Sequence, residues 1–196
     1  MAKADQEAVS QPFATIVAVI AAAKDSGAKG LVARVALRCL GNPLVTIDHE
    51  PRSFATQHAL QACVSLALAP DHELDLEELG TRLWPDAPLS RLHGRLSTMV
   101  WQLRTGLGPE GWRIVRSRSS LGMEMDGIDV DLLGLRASAL RLAAMPVNDR
   151  DDHQVATTIE ALGVPVLAPW SYHPWVRDEQ DRNDQLRSVL ERGETL

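Results

Sequence analysis

Ser90-Arg91-Leu92-His93-Gly94-Arg95-Leu96-Ser97-Thr98-Met99-Val100-Trp101-Gln102-Leu103-Arg104-Thr105-Gly106-Leu107-Gly108-Pro109 is the stretch on which the fold turns. Leu92, Leu96, Met99, Val100, Leu103 and Leu107 recur at helical spacing, which puts one apolar stripe on a single side of a long helix. Ser90 stands where an N-cap is wanted, and Gly108-Pro109 terminates the run. Immediately afterwards Trp112-Arg113-Ile114-Val115-Arg116 and Leu121-Gly122-Met123-Glu124-Met125 alternate with the period of a strand. Ser117-Arg118-Ser119-Ser120 lies between them as the tip of a hairpin.

Upstream, Asp75-Leu76-Glu77-Glu78 reads as a capping box: the Asp75 carboxylate accepts the Glu78 amide while Glu78 reaches back. A helix from Leu76 to Trp84 follows, and Pro85 ends it. Thr56 caps an earlier helix to about Leu68 with Leu60, Cys63, Val64 and Leu68 on one face, and Pro70 stops it. Before that the period is two. Val35, Leu37 and Cys39 alternate with Arg34, Ala36 and Arg38; Gly41-Asn42-Pro43 turns the chain into Leu44 to Ile47, and Asp48-His49-Glu50 turns it into a short strand near Pro51 to Phe54. A small sheet, three helices and a hairpin make residues 33–126 an α+β unit in the order of a winged helix-turn-helix with an N-terminal antiparallel sheet.

Residues 127–196 read as a small all-α domain. Asp131 caps Leu132 to Ala144, Asp151 or Asp152 opens a helix through Val155, Ile159 and Leu162 to Gly163, and Pro174 starts a last helix to about Arg192. The last helix pairs Asp178 and Glu179 with Arg182, and Asp184 with Arg187, and reads as half exposed. Trp170, Tyr172 and Trp175 read as core or connector aromatics. Residues 1–32 carry an apolar helix, Phe13 to Ala23, and a tether.

The 196 residues are 45% hydrophobic and 23% charged, a globular balance that excludes disorder. Formal charge is −6, awkward for a nucleic-acid binder until it is resolved by segment. Seven basic and 11 acidic residues give −4 over 1–88, six and one give +5 over 89–118, and seven and 14 give −7 over 119–196. All the positive excess thus sits on the long helix and the hairpin. Cys39 and Cys63 lie inside apolar patterns and read as buried thiols of a reducing cytoplasm. Phe13 to Ala23 is too short to cross a bilayer, and Asp5 and Glu7 before it are wrong for a signal peptide.

No His-Glu-x-x-His, CxxC, P-loop, Gly-x-Ser-x-Gly or dinucleotide fingerprint is present, and the six histidines are scattered. Asp129 and Asp131 are better explained as a turn and a helix cap than as paired catalytic carboxylates. The expectation is a protein that is not an enzyme and uses no cofactor or metal.

Residues 33–126 resemble the OmpR-like winged helix of actinobacterial antibiotic-regulatory-protein type transcriptional regulators. The resemblance rests on Leu37-Arg38-Cys39-Leu40-Gly41, on Leu76-Glu77-Glu78-Leu79 with Leu83-Trp84-Pro85-Asp86, and on Leu103-Arg104 with Leu107-Gly108-Pro109. Asp129-Val130-Asp131-Leu132-Leu133, and Trp175-Val176 with Glu179, Arg182, Gln185, Leu186 and Arg187, are similar to the bacterial transcriptional activation domain that follows it. That domain is truncated here, and Phe13 to Ala23 of this chain or a partner is a candidate to cover its apolar end. The resemblance implies a cytoplasmic regulator binding double-stranded DNA through the third helix and the wing, touching RNA polymerase.

Opposite the buried stripe, Arg91, Arg95, Thr98 and Gln102 fall at i, i+4, i+7 and i+11, a line of donors for phosphates and base edges. Arg104 joins them on the helix, and Arg113, Arg116 and Arg118 extend the set along the wing. The family's basic residue and Asn are His93-Gly94 here, Trp101-Gln102 and Thr105 replace its polar and basic residues, and Ser120-Leu121 replaces Gly-Tyr. The reading surface is therefore altered. Homodimerisation would add two weak half-sites. The competing reading is a degenerate winged helix that binds no DNA and uses Trp101 as a protein-partner anchor.

Overall fold

Val35, Leu37 and Cys39 are buried and Ala36 and Arg38 only half so, which is the alternation of a strand with one face in a core. The computed structural model describes residues 35–194, so the expected helix at Phe13 to Ala23 and its tether lie outside the described residues. The described chain forms two compact units, 35–39 with 43–130 and 40–42 with 131–194. The first is mixed α+β and the second all-α.

In the α+β unit, β1 (Val35–Arg38) pairs antiparallel with β2 (Leu44–Ile47), and β2 with the two-residue β3 (Glu50–Pro51). Helix α1 (Gln57–Leu68) follows, capped as expected by Thr56, whose hydroxyl accepts from the Ala59 amide at 3.3 Å. Strand β4 (Glu73–Asp75) leads into α2 (Leu76–Leu83), and α3 (Leu89–Leu107) runs to a 3-10 turn over Gly108–Arg113. The hairpin is β5 (Ile114–Arg116) and β6 (Ser120–Met123), with β4 paired to β6 in a second, three-stranded sheet. Gly80 lets α2 approach α3, since a Cβ there would stand 2.8 Å from Leu92 Cδ1.

Several sequence expectations change here. The first sheet is not purely antiparallel: β7 (Ile128–Val130), read as the start of the helical half, returns to pair parallel with β1. The boundary between units therefore falls after residue 130 rather than 126. Asp75 caps the Glu77 amide at 2.7 Å instead of that of Glu78, and Glu78 is drawn to Arg82 at 2.6 Å. Pro88, not Ser90, holds the cap position of α3. The hairpin begins two residues late, because Trp112 and Arg113 are spent in the 3-10 turn.

The all-α unit consists of α4 (Asp131–Ala144), α5 (Asp152–Leu162) and α6 (Pro174–Glu191). Asp131 opens α4 with both carboxylate oxygens engaged, one accepting from its neighbour Leu132 N at 2.7 Å and the other from Leu40 N at 3.2 Å. Residues 40–42, expected as strand end and hairpin turn, belong to this unit. Leu40 bridges Val166, Gly41 N donates to Pro165 O at 2.8 Å, and Ala168 N donates to Gly41 O at 2.8 Å. Trp170 and Trp175 are core residues with ring centres 6.5 Å apart, whereas Tyr172 is exposed. Helix α6 buries more than its composition suggested, including Glu179 and Asn183. Cys39 and Cys63 are both fully buried, and burial pushes the Cys63 thiol up to about 12, which makes it inert at neutral pH. No helix among the described residues is long and apolar enough to cross a membrane.

Candidate nucleic-acid interface

Helix α3 buries Leu92, Leu96, Met99, Val100, Leu103 and Leu107, the stripe its periodicity required. At 3.6 residues per turn, the middle of the opposite face is a stripe of Gly94, Thr98, Trp101 and Thr105, all exposed. Trp101 is 65% exposed. The threonine hydroxyls donate along the helix, Thr98 to Gly94 O at 3.3 Å and Thr105 to Trp101 O at 2.9 Å, so their protons are spent within it. Between Leu89 and Leu107 there is no acidic residue.

Arg91, Arg95 and Gln102 run along one edge of this face rather than through its middle. The buried arc is wide, with Val100 and Leu107 on one side and Leu92 and Met99 on the other, and it turns the expected line of donors toward α1 and α2. Arg91 and Arg95 are exposed, and the Arg95 guanidinium carbon stands 5.8 Å from the centre of the Trp84 ring, which in turn packs against His58 at 5.1 Å. Burial, and after it the Arg95 charge, holds the His58 imidazole below its usual value, so it is neutral at neutral pH and adds no charge to the edge. Gln102 is half-buried, its Oε1 accepting from the Thr56 hydroxyl at 2.9 Å, which ties α3 to the start of α1. Thr56, His58, Trp84, Arg95, Thr98 and Gln102 line a groove of about 340 Å³.

The other edge faces the hairpin. Arg104 is exposed but donates to Ile114 O at 2.8 Å, and Arg116 reaches across to Ser97 Oγ at 3.3 Å. These contacts hold strand and helix together while leaving both arginines on the surface. Ser97 went unnoticed in the sequence, where its helical register with Trp101 and Arg104 was the only available signal. Arg118 is exposed at a tip closed by Ser117 N to Ser120 O at 3.0 Å.

Arg113 leaves the set of surface candidates. It is buried and donates Nε to Glu110 at 2.8 Å and Nη1 to the carbonyls of Asp126 at 2.6 Å and Glu124 at 3.2 Å, with its guanidinium carbon 4.7 Å from the centre of the Trp112 ring. Strand alternation would have kept it outside; the 3-10 turn over Gly108–Arg113 turns it inward. Trp112 is exposed in its place. The structure thus brings Arg91, Arg95, Thr98, Trp101, Gln102, Arg104 and Arg116 onto α3 and the adjoining strand, with Arg118 at the tip and Arg113 beneath them.

No protein-family model matches this sequence, and no curated protein does. Among solved structures the chain is similar to Mycobacterium tuberculosis EmbR, determined in complex with a low-affinity phosphopeptide, at a TM-score of 0.61 and 17% identity. The match covers 81% of this chain and 44% of that one, so this chain spans less than half of EmbR's length. The likeness is one of fold.

Proposed function

We propose that this protein is a DNA-binding transcription regulator of the winged-helix type, inserting α3 into the major groove and laying the β5–β6 hairpin along the adjoining backbone. The observation that carries the reading is the exposed face of α3. It bears arginines on both edges and no acidic side chain, inside a chain whose total charge is −6. Such segregation favours a polyanion on this face and disfavours it elsewhere. The all-α unit would serve homodimerisation or contact with RNA polymerase, in a cytoplasmic setting. The fold likeness and the sequence resemblance point the same way.

Binding of mixed-sequence duplex DNA at two salt concentrations tests it. The wild type is expected to bind with a steeply negative dependence on log salt, and Arg91→Ala/Arg95→Ala to flatten that slope by about 2, at roughly 0.9 per phosphate contact. Undetectable binding at low salt, or binding indifferent to these arginines, would leave the competing reading: a protein-interaction module anchored by the exposed Trp101.

Gly94 supplies a second test with opposite signs. A Cβ at this position meets nothing within 4 Å, so Gly94→Ala is expected to stabilise the fold by about 0.5–1 kcal/mol through helix propensity. The same methyl, one turn from Thr98 on the groove-facing stripe, is expected to weaken DNA binding by obstructing close approach of the backbone. Thermal unfolding and a duplex titration on the one variant measure both.

A further inference from the structure

We infer that Trp101 is the specificity determinant of this surface, and that it selects DNA by contact with the C5-methyl groups of thymine. The inference rests on the DNA-binding reading above and names the feature of DNA that this face would recognise. Four observations bear on it.

Apart from the indole N–H of Trp101, the middle of the exposed face of α3, where base edges would lie, carries no side-chain donor that is not already spent within the helix. Its residues are Gly94, Thr98, Trp101 and Thr105, and the two threonine protons are committed to Gly94 O and Trp101 O. The other side chains able to donate to DNA stand at the rim, Arg91, Arg95 and Gln102 on one side and Arg104 and Arg116 on the other. Of these, Gln102 is held by Thr56, Arg104 by Ile114 O and Arg116 by Ser97. Rim cations suit phosphates, which position a protein on the duplex without reading its sequence. What remains at the centre is mostly apolar: an indole 65% exposed, with its one N–H at the ring edge, and two threonines whose hydroxyl protons are spent. In the major groove only the methyl of thymine offers an apolar contact among the base edges. The absence of acidic groups between Leu89 and Leu107 fits a polyanion around this indole better than a protein anchor, whose pocket would have to tolerate a ring of arginines.

Duplexes enriched by the wild-type protein from a random-sequence pool provide the probe. In the tightest-bound duplex each thymine is exchanged in turn for uracil, which removes the C5-methyl and preserves pairing. At one or two positions wild type is expected to lose about fourfold in affinity per exchange, the factor that one buried methyl supplies. Trp101→Ala is expected to bind that duplex more weakly and to treat thymine and uracil alike there, while Trp101→Phe, which keeps an aromatic face, retains part of the discrimination. Trp101 projects into solvent, so these variants are expected to fold, as thermal unfolding will show. If no duplex is enriched at low salt, the DNA reading itself fails. If duplexes are bound but uracil replaces thymine without loss at every position, or Trp101→Ala discriminates as wild type does, the role given to Trp101 fails while DNA binding stands.

Discussion

Arg113→Ala is expected to destabilise the α+β unit by about 3–5 kcal/mol, the range found when one partner of a buried ion pair is removed. The side chains of Arg113 and Glu110 are 8% and 5% exposed. Truncation takes the guanidinium away from the buried Glu110 carboxylate and from the Glu124 and Asp126 carbonyls, and with it the link that joins the 3-10 turn to the chain leaving β6. Urea unfolding followed by circular dichroism measures the loss, and a change under about 1 kcal/mol would show the network to be dispensable. The replacement Arg113→Met/Glu110→Leu removes both charges together and is expected to be far milder, because burying an apolar pair avoids the desolvation penalty of two ions. If the double variant folds and still binds DNA with an unchanged salt slope, Arg113 supports the hairpin and does not touch phosphate.

A loss of the same size, about 3–5 kcal/mol, is expected for Arg136→Ala in the all-α unit. Arg136 reaches from α4 to α6, donating Nη1 to the Glu179 carboxylate at 2.6 Å, Nη2 to the Glu179 carbonyl at 2.6 Å and Nε to Asn183 Oδ1 at 2.8 Å. Glu179 is buried, and its other oxygen is taken by Arg182 at 2.5 Å, a partner that is itself largely exposed and so screened by water. Removing Arg136 leaves a buried carboxylate with only that weak outer partner. Arg136→Lys is expected to recover little, since an ammonium point charge cannot match a planar fork addressing three acceptors. Denaturant unfolding of both variants decides the matter; full recovery by lysine would mean that charge alone, not the fork, holds α4 to α6.

The arrangement of helices was plain from the sequence because apolar periodicity is a local property. The stripe from Leu92 to Leu107 and the Thr56 cap lay where they were read. Boundaries held less well where two local signals competed. Trp112-Arg113 fits strand alternation, but Gly108-Pro109 sets off a 3-10 turn that extends over both residues, and this moved Arg113 from the surface to the interior. Glu179 presented a similar ambiguity. On its own helix it looked like half of a surface pair with Arg182, and only the packing of α4 against α6 supplied Arg136, 43 residues away, to make burial tolerable.

The candidate surface divides along the same line. Its charge was countable from the sequence: the positive excess over residues 89–118 sits inside an acidic chain, and nothing in the fold can alter that sum. Which residues occupy the centre of the face was not countable. That depends on how wide an arc of α3 is buried, and the arc is set by α1 and α2 on one flank and by the 3-10 turn and hairpin on the other. Sequence alone therefore determined the helices, their order and the sign of the exposed face, because each is fixed by residues near one another in the chain. Tertiary structure decided that β7 closes the first sheet in parallel, that Arg113 and Glu179 lie inside, and that Trp101 rather than an arginine stands at the middle. Each of these depends on partners brought together only by packing, where a buried charge must find its counter-ion and a helix can expose only what its neighbours leave uncovered.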